Sequence, residues 1–313
     1  MNNINHDLLF KKLLTTFFQE FMEAFFPEAD RLIDYSYLEF LTQELIVDIT
    51  TGEKKYIDIL VKTRLMGEDG FVLVHVEPQA QKRKGFARRM FRYFSHLFLK
   101  YDQRILPIVI LSYEIKKKEP NSFALSFPFH EVLNFNFLQL HLKRHSWKDY
   151  LKNDNPAAAA LISCMDYDDE EKVQLKTEFL KMILRMRLDP ARQQFLIGFF
   201  DTYVPLTWPE EETVQQKLAE ELPPQEVKEM TEILTSYHLR GREEGREEGR
   251  EEGKLATLQG TLLKLAVRKL GTISKELENQ ILKNTNIAQL ENAVENIFDF
   301  NDEETLRKAL RGN

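Results

Sequence analysis

Cysteine is almost absent from this chain, in which Cys164 stands alone among 313 residues. A single cysteine excludes an internal disulfide and a cysteine-rich zinc cluster, and it is typical of proteins from a reducing compartment. The sequence also lacks the apolar run of about 20 residues that a membrane-spanning helix needs, and its first residues do not resemble a signal peptide. We therefore expect a cytoplasmic protein with no membrane partner.

An excess of positive charge is lacking as well, because the net charge is −7. The distribution is uneven, however: residues 80–104 carry +7, and the remainder carries −14. Attraction to a phosphate chain depends on charge within about 8 to 10 Å, so this local excess indicates a polyanion site, unless it is only a solvated helix face. Its basic residues are Lys82, Arg83, Lys84, Arg88, Arg89, Arg92, Lys100 and Arg104.

The predicted elements follow the order helix, three strands, helix, strand. Apolar spacing predicts a first helix that ends near Pro27, with Asn5 as its N-cap, and a second helix through the basic residues. The strand candidates are residues 45–50, 56–62, 71–77 and 106–111, with 135–142 as one more. A helical crossover between the third and fourth strands implies parallel pairing there and a right-handed connection.

Two neighbouring strand candidates carry acidic residues. Alternation puts Asp58 on one face of its strand, and Glu77 and Gln79 together on one face of the next. The opposite faces are apolar, which predicts that they look into the core and that the carboxylates point away from it. If the chain turns at Gly67-Glu68, paired residue numbers sum to 135, and Asp58 lies opposite Glu77 with Cβ atoms roughly 5 Å apart.

Two carboxylates so placed repel each other unless a cation lies between them, and a divalent ion with oxygen ligands is the natural candidate. Metal-dependent phosphodiester cleavage requires such a pair. Gln79 can add only position and hydrogen bonds, because an amide has no charge. Asp48 is either a third acidic ligand or a solvent-facing residue, and His75 is either a packing residue or a site group. The sequence contains no glycine-rich phosphate loop, serine–histidine triad or cysteine nucleophile.

The second half of the chain has a helical pattern. We predict four parts: a core at 1–145, a helical extension at 146–239, a linker helix at 240–254 and a small helical domain at 255–313. Each internal glycine of the linker RGREEGREEGREEGK costs about 1 kcal/mol against alanine, so this helix should be marginal alone. It is either a polar connector or a self-association element that forms a homo-oligomer through a row of glycines, namely Gly241, Gly245, Gly249 and Gly253.

Four motifs, HDLLFK, IDILVK, HVEPQ and RRMFRYF, occur in this order. They resemble the Rpn family of recombination-promoting nucleases and putative transposases, a branch of the PD-(D/E)XK nucleases. The resemblance is close over about residues 5–115 and looser to about 200, and the REEG repeat before a helical tail is also similar to members of this group. It implies an α/β fold with a restriction-endonuclease-like core and an α-helical C-terminal region.

The resemblance also implies roles for individual residues. Asp58, Glu77 and Gln79 would be the catalytic set, with Gln79 where the superfamily has a lysine, and Asp58, Glu77 and the carbonyl of Pro78 would hold the metal. The first helix and the basic helix would flank the site or contact DNA through His6, Asp7, Lys11, Arg88, Arg89, Arg92 and Tyr93. From the residues alone, His6 and Asp7 could equally cap the first helix.

The resulting hypothesis is a DNA endonuclease that depends on Mg²⁺, with Mn²⁺ or Ca²⁺ as alternatives. The resemblance implies weak sequence preference and a link to recombination, mobile elements or phage defence. A competing hypothesis is a catalytically decayed nuclease fold that acts as a DNA-binding or assembly protein, and action on RNA is a third. Because no base-reading element is evident, phosphate contacts should dominate binding, and affinity should fall steeply with salt.

Overall fold

The computed structural model describes residues 6–41, 45–47, 54–56, 59–77, 85–113 and 120–310. The chain divides into two units, Met1–Ile233 and Leu234–Asn313. The strands are Ile33–Leu41 (β1), Leu45–Val47 (β2), Lys54–Tyr56 (β3), Ile59–Leu65 (β4), Glu68–Glu77 (β5), Arg104–Leu111 (β6), Ser122–Phe127 (β7), His130–Asn136 (β8) and Leu138–His141 (β9).

The helices of the first unit begin with His6–Thr16 (α1), Phe18–Phe25 (α2), Pro27–Asp30 (α3) and Phe86–Tyr101 (α4), and continue with Pro156–Leu161 (α5), Lys172–Met186 (α6), Pro190–Tyr203 (α7) and Trp208–Glu221 (α8). They are followed by Pro224–Leu270 (α9), Lys275–Lys283 (α10), Ile287–Glu295 (α11) and Glu303–Ala309 (α12). Within the described residues, no helix combines the length and the apolar character that crossing a membrane requires.

A five-stranded mixed sheet with the order β1-β4-β5-β6-β9 forms the centre of the first unit. Strands β1, β4 and β5 pair antiparallel, whereas β5, β6 and β9 pair parallel. The predicted parallel pairing across a helical crossover is confirmed, because α4 connects β5 to β6. The mixed α/β class is also confirmed, together with the strand at 106–111.

The first strand of the sheet was wrongly predicted. It is β1, whereas in the predicted strand at 45–50 the structure describes Leu45–Val47, which pairs with Lys54–Tyr56 in a separate two-stranded ladder. The exposure of β1 explains the error: buried and exposed positions do not alternate along it, and its pairing with β4 is irregular between Asp34 and Glu39. A strand of this kind lacks the alternating signature.

The turn between β4 and β5 corrects the predicted register. Met66 and Gly67 occupy it with φ of 56° and 84°, so it is a two-residue turn with both central residues in the left-handed region. Leu65 therefore pairs with Glu68, and Ile59 with Val74. Paired numbers sum to 133 instead of 135, so the predicted register is wrong for the described pairs. Asp58 lies outside the described residues, and its position relative to Glu77 stays a prediction.

Both faces of the sheet are buried, which corrects the prediction of a solvent-facing polar side. Ile59 and Val74 are buried on one face, as predicted. Leu60 and Leu73 on the other face are also buried, at 1% and 0% exposure, in a cluster with the apolar stripe of α4. The stripe itself packs inward as predicted, through Phe86, Met90, Tyr93 and Leu97.

The N-terminal helix is broken where one continuous helix was predicted. Phe17, with φ of −130° and ψ of 43°, separates α1 from α2, although hydrogen bonds continue across it from the Phe17 amide to the Leu13 carbonyl. Pro27 begins α3 at a position where a missing N–H costs nothing. The predicted cap Asn5 lies outside the described residues. This segment packs on β1 through the ring of Phe18, 5.8 Å from that of Phe40.

Helices α5 to α8 complete the first unit around buried rings such as Phe179 and Phe200, whose centroids lie 4.2 Å apart. Asn155 and Asp189 cap α5 and α7 by accepting backbone N–H groups, and each cap is followed by a proline. In the second unit, the C-terminal part of α9 and helices α10 to α12 enclose a core of Leu262, Ala266, Leu277, Ile281, Leu290, Ala293, Ile297, Leu306 and Leu310. The predicted four-part division of the chain stays a prediction.

Candidate functional site

The three parallel strands end in one row. Glu77, the last residue of β5, pairs with Leu111, the last residue of β6, and Leu111 pairs with His141, the last residue of β9. Adjacent strands lie about 4.8 Å apart, so the backbone positions of Glu77 and His141 are about 10 Å apart. Ligands of open α/β sheets bind beyond the carboxyl ends of strands, which makes this edge the candidate site.

The acidic set itself lies mostly outside the described residues. Asp58, Pro78 and Gln79 are not among them, nor is Asp48, and the structure describes only the backbone of Glu77. Among the side chains that the structure does describe, no group of three or more His, Cys, Asp or Glu is placed to hold a metal ion. The metal ligands therefore stay a prediction.

The basic helix α4 follows this edge in the chain. Arg88 and Arg92 are exposed, Arg89 is half-buried, and the helix contains no acidic residue. The guanidinium carbon of Arg88 lies 5.6 Å from the centroid of the Phe123 ring, and that of Arg89 lies 5.7 Å from the Phe86 ring. The three arginines thus combine positive charge with positions at or near solvent, which a phosphate contact requires.

His75 and Tyr93 lie on the inner side of α4. His75 is 9% exposed, and its ring is 6.0 Å from that of Phe86 and 5.6 Å from that of Tyr93. Tyr93 is 6% exposed. His75 and Tyr93 thus pack among buried rings, and a role of either residue at the site stays a prediction.

His6, the first residue of α1, lies against Tyr203 at the C-terminal end of α7. His6 Nδ1 is 3.0 Å from the hydroxyl of Tyr203, within hydrogen-bond distance. Burial raises the pKa of Tyr203 well above its usual range, so the phenol stays neutral. Asp7 is exposed and Lys11 is half-buried. The ring of His6 also packs against that of Tyr203, with 5.4 Å between centroids, and its role as a cap or as a site residue stays a prediction.

His141 is a polar residue at the same edge that sequence reasoning missed. It is 7% exposed, and neither ring nitrogen has a hydrogen-bond partner among the described residues. Burial, aided by the positive charge of Arg144, lowers the pKa of His141, so the imidazole is neutral at pH 7. The only signal in the sequence was a histidine within the apolar candidate strand 135–142.

A polar cavity of about 330 Å³ follows β9 in the chain and is lined by residues 143–148 and 166–168 and by Glu171. Its charges are largely neutralised within the cavity wall, because Lys148 and Glu171 form a 2.6 Å ion pair and Glu171 also accepts from the Asp168 amide. Cys164 is buried nearby, and burial raises the pKa of its thiol to about 12, which leaves too little thiolate for nucleophilic chemistry. The cavity is therefore the weaker candidate.

Comparison with known proteins gives one family. The family model described as "Putative transposase, YhgA-like" matches residues 4–216, which include the whole mixed sheet and helices α1 to α7. No curated protein and no solved structure matches the chain. A model that covers more than half of the chain establishes membership: the chain belongs to the family of YhgA-like putative transposases.

Proposed function

We propose that the chain is a metal-dependent DNA endonuclease with weak sequence specificity that acts in recombination, mobile elements or phage defence. The observation that carries the proposal is the position of Glu77 at the carboxyl end of β5, immediately before the segment that leads into the basic helix α4. An acidic residue at a strand end, followed in the chain by a helix with exposed arginines, offers both a cation ligand and phosphate contacts. Family membership supports a role on DNA.

The topology also supports this function. Three antiparallel strands, a helical crossover and a parallel strand are compatible with a restriction-endonuclease-like core, which we propose for the first unit. In this arrangement, the strand that carries Glu77 is the one at which the antiparallel half of the sheet meets the parallel half. The proposed site therefore lies at the change in strand direction.

Asp58, Glu77 and the carbonyl of Pro78 would hold the metal. All three are oxygen donors, which fit Mg²⁺ and also Mn²⁺ or Ca²⁺. A bound ion would lower the pKa of a water molecule and would stabilise negative charge on the phosphate. The chain's own groups do the remaining work: Gln79 orients by hydrogen bonds, and Arg88, Arg89 and Arg92 hold the phosphate backbone.

Metal binding can be tested separately from cleavage by measuring thermal unfolding across a Mg²⁺ titration. An ion that binds only the folded protein stabilises it by about 2.7 kcal/mol at a hundredfold excess over its dissociation constant. We expect this gain in the wild type and its loss in Asp58→Asn. An equal gain in Asp58→Asn would mean that Asp58 does not hold the ion.

A further inference from the structure

A hairpin arm projects beside the basic helix. Strands β7 and β8 form it, with Pro128 and Phe129 as the turn between Phe127 and His130, so the arm comprises residues 122–136. Neither strand belongs to the five-stranded sheet.

The base of the arm is fixed to α4 by aromatic packing. Phe123 and Phe135 pair with each other across the two strands. The ring of Phe91 on α4 lies 5.3 Å from Phe123 and 5.6 Å from Phe135, and Phe94 lies 5.0 Å from Phe135. The base of the arm and the basic helix therefore form one packed body.

The outer half of the arm is apolar and exposed. Phe127 is 61% exposed, Phe129 is 87% exposed and Val132 is 55% exposed. The rings of Phe127 and Phe129 are stacked, with centroids 5.9 Å apart and planes 21° apart. Large apolar groups concentrated in this way on a surface mark a binding site for a partner.

The neighbouring charge indicates which partner this is. Arg88 lies over the ring of Phe123 at the base of the arm, and Arg92 is exposed one turn further along α4. Within residues 120–137, Glu131 is the only charged residue. A partner that offers phosphates to the helix and flat apolar surfaces to the tip is a nucleic acid, because its bases stack on aromatic rings while its backbone binds arginine.

We propose that the arm inserts the Phe127-Pro128-Phe129 tip between base pairs of duplex DNA that the arginines of α4 hold by its phosphates. This inference rests on the proposed action on DNA. Apolar wedges of Phe and Pro unstack a base step and kink the duplex. The arm would thus select steps that open easily, such as pyrimidine–purine steps, without reading base edges. Such selection gives weak sequence preference.

The test uses the full chain and a duplex of about 30 base pairs that carries the fluorescent base 2-aminopurine at a central pyrimidine–purine step. The buffer contains EDTA so that no cleavage occurs. Binding of the wild type should raise the fluorescence several-fold as the base unstacks. Phe127→Ser/Phe129→Ser should abolish this rise and weaken binding by about tenfold or more, since each base–ring stack is lost.

The matched control is Phe298→Ser, which removes an aromatic ring of 71% exposure in the second unit. It should show the same fluorescence rise and the same DNA affinity as the wild type. Because Phe127 and Phe129 are exposed, the double variant should keep the wild-type melting temperature. The slope of log K for DNA binding against log salt concentration should also be unchanged in the double variant, because the phosphate contacts remain.

Three results would overturn the wedge. Binding without a fluorescence rise, or an undiminished rise in the double variant, would show that the tip does not enter the duplex, while the nuclease proposal would stand. A fall in sedimentation mass in the double variant, with DNA binding intact, would identify the tip as a contact between copies of the chain. Failure of metal-dependent cleavage alone would remove the nuclease proposal and leave the wedge.

Discussion

The guanidinium carbon of Arg88 lies 5.6 Å from the ring centroid of Phe123, and this contact joins the basic helix to the hairpin arm. One side of the contact is the charged helix face, and the other is the base of the arm that carries Phe127 and Phe129 at its tip. In the proposed DNA complex, electrostatic and stacking contributions would therefore come from separate residues. They can be measured independently, because salt weakens only the first.

Arg88→Ala and Arg92→Ala should weaken DNA binding through the loss of phosphate contacts. Each lost contact should reduce the slope of log K against log salt concentration by about 1. The measurement is fluorescence anisotropy of a labelled duplex at several salt concentrations. Arg192→Ala is the control, since Arg192 is a half-exposed arginine on α7 that pairs with Asp189. Equal slopes in all four proteins would exclude α4 as the phosphate-binding helix.

Lys176 and Asp201 form a buried ion pair, in which Lys176 is 2% exposed and donates to Asp201 Oδ1. Asp201→Ala leaves a buried ammonium without its carboxylate, so it should lower the free energy of unfolding by about 3 to 5 kcal/mol. Lys176→Met should cost much less, because Asp201 keeps partial access to water. Unfolding of the first unit in urea measures the free energy of unfolding of both variants.

The double variant Lys176→Met/Asp201→Ala completes this cycle. It should be more stable than Asp201→Ala alone, because the second change removes the unpaired charge. If Asp201→Ala were as stable as the wild type, the pair would have no structural importance.

His141 should lower the free energy of unfolding in mild acid. Its pKa is lowered by burial, so the unfolded chain takes up the proton first, at about pH 6.5. The contribution of the neutral imidazole is intact above that pH and is lost as the pH falls towards the folded-state pKa. His141→Leu should therefore show a smaller loss of stability between about pH 7.5 and 5.

The same variant should be more stable than the wild type near neutral pH. A buried polar group without partners costs about 1 to 3 kcal/mol, and leucine removes it. Substitution of the exposed His130 is the control for both measurements. A His141→Leu protein that unfolds more readily at neutral pH would indicate that the imidazole has a partner in the folded protein.

The glycine row of α9 offers a test of the linker. Methyl groups added at Gly241, Gly249 or Gly253 would meet nothing within 4 Å. Alanine at all three positions should therefore stabilise the helix, by up to about 1 kcal/mol each. Circular dichroism during thermal unfolding measures the gain. We expect an unchanged sedimentation mass, as for a polar connector, and a lower mass would instead identify the row as a close contact between helices of two copies.

Long, strongly periodic segments were predictable from the sequence. The apolar stripe of α4 and the continuous apolar strand β6 each carry a pattern that tertiary contacts reinforce. The prediction that Val61 and Val72 face the core is also confirmed, because both are buried. This prediction does not depend on the register of the two strands.

Other features depend on contacts that a linear pattern does not contain. The predicted register of β4 and β5 differs from the observed one by two residues. The turn includes Met66 in the left-handed conformation, which is rare outside glycine and which the sequence therefore did not indicate. The buried second face of β4 and β5 arises from α4, which is distant in sequence from Leu60. The hairpin arm exposes its apolar residues, so the rule that apolar residues lie inside gives no guide to it.

The candidate site was only partly predictable. Alternation proposed Glu77 as a site residue, and the structure adds its position in a row with Leu111 and His141. That row arises from parallel pairing between strands that are far apart in the chain, and no local spacing encodes it.

A plasmid-nicking assay tests the central claim most directly. Supercoiled plasmid is incubated with wild type, Asp58→Asn, Glu77→Gln and the control Glu68→Gln, with Mg²⁺, Mn²⁺, Ca²⁺ or EDTA. Glu68 lies at the opposite end of β5 and is 63% exposed in a 2.6 Å ion pair with Arg104. We predict metal-dependent nicking by the wild type and Glu68→Gln, and a loss of about a hundredfold or more in both site variants. Undiminished nicking by Asp58→Asn and Glu77→Gln would contradict the account.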